Sequence, residues 1–120
     1  MNYFKIIYVS IFVTLLFSGV SYSKRRGPKS VEPVIYKGIK YVAIHWGKSR
    51  GLRQNGGYIE AFKVRTGKRL WVLRVYKISY KSSLEKDVQD VFITSMRINN
   101  GTLVVMNEKD EVYHVNLKTR

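Results

Sequence analysis

The residues from His45 to Gly57 (HWGKSRGLRQNGG) hold the densest ligand-binding chemistry in the chain. Lys48, Arg50 and Arg53 carry the charge and donors that pair with phosphate, sulfate or carboxylate. The glycines among them let backbone N–H groups approach a ligand closely. Trp46 offers a face on which a sugar or base would stack, and His45, Gln54 and Asn55 add hydrogen-bonding groups. Function also concentrates on loops held by rigid sheets. The same composition equally describes a long, flexible, solvated hairpin loop.

A nucleotide-binding P-loop is excluded. Gly47-Lys48-Ser49 ends like a P-loop, but Val42 stands where its first glycine belongs, and a strand rather than a helix follows. Catalysis has little support. His45 and His114 are the only histidines, no third metal ligand has a recognisable spacing to either, and no activated serine is evident. Glu85, Asp87 and Asp90 read as charges that cap and balance a short helix. A small hydrolase built on His45 is a minor alternative to a non-enzymatic protein, and no cofactor or metal is expected. Asn100-Gly101-Thr102 matches a glycosylation acceptor, yet Asn-Gly is also a preferred hairpin turn.

The elements that must hold these residues are strands. Apolar and polar residues alternate with a period of two over Ile39–Trp46, Tyr58–Val64, Leu70–Tyr80, Val91–Ile98, Thr102–Met106 and Val112–Leu117. In the third segment Leu70, Val72, Tyr76 and Ile78 would share one face, with Trp71, Leu73 and Val75 on the other. Thr66-Gly67-Lys68, Asn99-Asn100-Gly101 and Asn107–Asp110 are short turn sequences. Ser82 with Glu85 resembles a capping box, which predicts one short helical turn within Ser82–Gln89. The expectation is an all-β antiparallel meander of about six strands.

The chain repeats itself. Tyr58–Thr66 aligns with Glu111–Thr119 at an offset of 53, and Gly38–Ile44 aligns with Gly101–Asn107 at an offset of 63. The two units, approximately 38–80 and 91–120, differ by ten residues in the loop between Trp46 and Tyr58. Gly57, Ala61, Thr66, Gly67 and Trp71 fall in the pattern Gly-x-apolar-x-Ala-apolar followed by Thr-Gly-Lys-x-x-Trp. That pattern resembles the repeat of the pyrroloquinoline-quinone-type (PQQ-like) β-propellers, and Thr119 closes its second, partial copy. The resemblance implies propeller-blade-like sheets in a small two-sheet arrangement, with Trp71 packing one sheet on the next. A closed propeller needs roughly 4–8 blades, so two units imply no axial quinone site and no dehydrogenase chemistry.

Residues 1–23 read as a secretory signal peptide. Lys5 precedes the uncharged run Ile6–Val20, and Ser21-Tyr22-Ser23 presents small residues for cleavage near Ser23. The run is 15 residues, shorter than the ~20 that span a bilayer. Lys24, Arg25 and Arg26 follow at once and keep an N-terminal membrane anchor as the alternative. Residues 24–33 read as a basic disordered lead-in and 34–120 as a single β domain. The chain has no cysteine, which suits a soluble periplasmic or extracellular protein held without disulfides.

Charge is divided unevenly. Residues 24–81 carry 16 Lys and Arg against Glu32 and Glu60, whereas residues 82–120 carry a net charge of −1. Two expectations follow. One is an extracytoplasmic β-module that binds a protein partner or a second copy through a sheet edge or the 46–57 loop. The other is a polyanion-binding module for envelope glycopolymer, lipid headgroup or nucleic acid, using the basic half 24–81. Aromatics interleaved with cations in Tyr36–Tyr41 and Trp71–Tyr80 fit a stacking surface, or simply a half-buried sheet.

Overall fold

The computed structural model describes residues 27–120, so the expected signal peptide over 1–23 and Lys24–Arg26 lie outside the described residues. The fold is all β. One antiparallel sheet has the order β1 (Val34–Tyr36), β2 (Ile39–Ile44), β3 (Tyr58–Lys63), β4 (Arg69–Arg74). The other has the order β5 (Ile93–Asn99), β6 (Thr102–Asn107), β7 (Val112–Asn116). The additional strand relative to the sequence reading is β1, which pairs with β2 across the Lys37-Gly38 turn. Among the described residues no helix is long and apolar enough to cross a membrane.

The repeat is visible in the pairing itself. Val34 pairs with Tyr41 and Tyr41 with Ala61; at the two offsets these become Arg97 with Val104 and Val104 with His114, which also pair. Lys37-Gly38 (φ 49° and 77°) and Asn100-Gly101 (φ 50° and 76°) make the same turn with two left-handed residues. This turn matches the right-handed twist of the strands it joins, and glycine at its second position carries no steric cost.

The units nevertheless bury opposite faces. The first contributes Tyr41, Ile59 and Ala61 to the core, and the second contributes Leu103, Val105 and Val115. The repeat equivalents of these last three are Lys40, Val42 and Phe62, on the other face of the first sheet. The sheets therefore stack the same way round, like successive plates. Burial of Ile59, Ala61, Leu103 and Val105 to 0% exposure marks the centre of the core; each such side chain contributes about 1.5–3 kcal/mol except the smaller alanine.

Two local readings change. The expected long strand Leu70–Tyr80 ends at Arg74, which pairs with the first residue of β3, Tyr58. Beyond it the ladder has no partner, and Val75 N–H turns to Gly57 O at 2.7 Å. Val75, Tyr76 and Ile78 then all pack on the core instead of alternating. The helical turn forms over Lys86–Gln89, but Ser82 lies outside it and Glu85 holds the N-cap without a side-chain hydrogen bond. The Gln89 amide gathers this segment instead, accepting from Lys81 N–H at 2.6 Å and donating to the carbonyls of Lys81, Leu84 and Glu85. Residues 27–33 have no regular structure, yet Val31 packs against the core.

Candidate anion-binding end

The 46–57 loop folds down onto the protein. Gln54 is 2% exposed; its Nε2 donates to Gly56 O at 3.0 Å and Tyr76 O at 2.8 Å, and its Oε1 accepts from Ile78 N–H at 2.9 Å. Asn55 Oδ1 accepts from Lys48 N–H, and its Nδ2 donates to Asp90 Oδ2 at 3.2 Å. The Tyr80 hydroxyl donates to Asp90 Oδ1 at 2.6 Å. Asp90 thus stands at the C-cap of the helical turn and ties this loop to the segment before β5. Burial, and then the Asp90 carboxylate, push the Tyr80 phenol up to about 12.

The other loop residues divide between structure and surface. Arg50 Nη2 donates to Glu60 Oε2 at 2.7 Å, with Arg69 Nη1 at 3.5 Å from the same oxygen. Glu60 is 4% exposed, and the hydrogen bond from Arg50 holds its carboxyl below the ordinary range against the opposing effect of burial. Lys48 sets its ammonium 4.4 Å above the Tyr80 ring. His45 Nε2 donates to Lys29 O at 2.9 Å, and both His45 and Trp46 meet the Phe92 ring edge-on at 5.4 Å. Trp46 and Arg53 remain exposed. The loop is braced on its own sheet through Arg50, on the segment after β4 through Gln54, and on the segment before β5 through Asn55. Of the candidate ligand-binding residues, Trp46, Lys48 and Arg53 face solvent without a hydrogen-bonded acidic partner.

The repeat residues are structural. Ala61 lies in the core, Gly57 packs on Gln54 and Tyr76, and Gly67 N–H bonds Lys63 O at 2.8 Å. Thr66 and Thr119 hydrogen-bond within their own turns. Trp71 is half-buried, 5.9 Å from the Tyr41 ring, with the Arg120 guanidinium 5.7 Å over its face.

A second set of cations assembles at the opposite end of the sheets. In a meander, alternate turns fall at the same end. Here those turns are Lys37-Gly38, Val64–Lys68, Asn100-Gly101 and Leu117–Arg120. Val64 N–H bonds Gly38 O at 3.0 Å and Leu117 N–H bonds Gly101 O at 3.3 Å, joining the turns within each sheet. A cavity of about 180 Å³ lined by Tyr36, Lys37, Tyr41, Gly101 and Lys118 joins the sheets to each other there. Lys37, Lys63, Arg65, Lys68, Arg69, Lys118 and Arg120 are all exposed at this end, and its turns contain no Asp or Glu. Glu108, Asp110 and Glu111 occupy the turn at the far end of the second sheet.

The basic half 24–81 contains Lys37, Lys63, Arg65, Lys68 and Arg69, but the sequence does not convey that three of the four turns bring them together with Lys118 and Arg120. That grouping follows from topological rather than linear order. Among the described residues no three His, Cys, Asp or Glu come together in a metal-like group. No family model matches the chain, and no curated protein matches it.

Proposed function

We propose that this protein is a non-enzymatic, exported β-module that binds an anionic polymer through its basic end. The observation that carries this reading is the convergence of Lys37, Lys63, Arg65, Lys68, Arg69, Lys118 and Arg120 where the turns hold no acid. Such a cluster raises the local concentration of polyanions and releases their counterions on contact. The aromatic faces of Tyr36 and Trp71 lie beside these cations and suit a sugar or base carried by the polymer. The like-sided stacking of the two units supports the propeller-blade resemblance, in which sheets serve as scaffolds and turns carry the contacts.

The test is binding of the full-length protein to a sulfated polysaccharide, to single-stranded DNA and to anionic lipid vesicles across a salt series. Affinity that falls steeply with salt for at least one polymer supports the reading. Salt-insensitive binding, or none, removes it.

A further inference from the structure

We infer that the outer edge of β7 accepts one extended peptide segment from a partner, completing the second sheet as β4 completes the first. Leu117 N–H bonds Gly101 O, and Glu111 O accepts from Asn107 N–H. Strand alternation therefore turns the N–H and C=O groups of Val112 and His114 away from β6. Their repeat equivalents, Ile59 and Ala61, lie in the stretch of β3 that pairs with β4, opposite Leu73 and Trp71. Among the described residues no strand pairs with the corresponding edge of β7.

A groove of about 230 Å³ runs beside this edge, walled by Leu73 and Val75 on one side and by Tyr113 and Val115 on the other. Trp71 and Leu73 point inward but stay half-buried, because the three-stranded sheet leaves β4 without a strand opposite it. The added strand would cover them with its inward side chains, which must be apolar at alternate positions. Arg74 and Arg120 line the same groove and no acidic residue does, so the segment carries a carboxylate beside its apolar residues. A second copy pairing antiparallel through its own β7 would have to fit its four-stranded sheet beside β4 of the first, which favours a single added strand. Main-chain pairing supplies the affinity and the groove the side-chain preference. This edge shares Arg120 and Trp71 with the basic end, but its open main-chain groups do not depend on the polyanion reading.

The probe is a six-residue peptide copying Arg69–Arg74, with glutamate in place of both arginines. With the full-length protein at high salt, saturating peptide should slow amide hydrogen exchange at Val112 and His114 by about tenfold. Tyr113 and Val115, already bonded to β6, should change little. Arg120→Glu should weaken this peptide about fivefold or more and strengthen the version retaining both arginines. His114→Pro removes one outward N–H and should abolish the protection; if that variant does not fold, the two peptides on Arg120→Glu carry the test. Unchanged exchange at Val112 and His114 at millimolar peptide overturns the inference. So does protection of these amides without peptide that tracks dimerisation.

Discussion

Arg50 Nη2 lies 2.7 Å from Glu60 Oε2 and pins the middle of the 46–57 loop to the outer face of β3. The carboxylate is buried, so its charge must be compensated there, and Arg69 at 3.5 Å gives only a second, longer contact. Arg50→Ala should cost about 1–2 kcal/mol at neutral pH, discounted because the arginine itself is partly exposed. The Glu60 pKa is lowered on folding. Its contribution is therefore present above the unfolded value of about 4.3 and is lost as pH falls through the folded one. Urea unfolding at neutral pH should separate the variant from the parent, and the gap should close in strong acid.

Gln54→Ala should be among the most damaging substitutions in the loop. It leaves Gly56 O, Tyr76 O and Ile78 N–H without their amide partner in a site that is 2% exposed. The expected loss is about 2–4 kcal/mol, read as a fall in Tm of roughly 10–20 °C for a domain of this size. A long, solvated loop would lose almost nothing at this position, which makes the measurement decisive for the loop as a brace.

The strands and the repeat were legible because period-two alternation and turn glycines act locally. Lys37-Gly38 and Asn100-Gly101 set identical turns from two residues each, and the offsets of 53 and 63 align paired residues with paired residues. What the pattern could not convey is which face each unit buries. Tyr41 and Val104 are repeat equivalents and both buried, yet Tyr41 belongs to the shared core and Val104 lies on the opposite face. The loop misled for a related reason. Gln54 and Asn55 have the composition of ligand-binding groups, and only the tertiary position of Tyr76, Ile78 and Asp90 converts them into internal hydrogen-bond partners. The basic end depends on topology in the same way, since Lys37 and Lys118 are far apart in sequence and line one cavity.

Tyr80 reports on the contact between the loop and the segment before β5. Its phenol is pushed up to about 12 by burial and by the Asp90 carboxylate, against about 10 for a free tyrosine. A raised folded value means that its stability contribution is complete below about pH 10 and is lost as pH climbs towards 12. Ultraviolet difference titration should show a late-ionising tyrosine that Tyr80→Phe removes. The same variant should lose about 1 kcal/mol at neutral pH with its hydrogen bond to Asp90.

The central claim is that anionic polymer binds at the end formed by alternate turns, and paired neutralising variants test it most directly. The first combines Lys37→Asn, Arg65→Gln, Lys68→Gln and Lys118→Gln, with asparagine chosen because position 37 has φ 49°. The second combines Lys48→Gln and Arg53→Gln in the loop. Affinity for a fluorescent sulfated polysaccharide, measured by anisotropy across a salt series, should fall at least about tenfold in the first variant. The dependence of log affinity on log salt should become shallower by about three, while the loop variant stays within about twofold of the parent. A first variant that binds like the parent, or a loop variant that loses more than it does, would contradict the account.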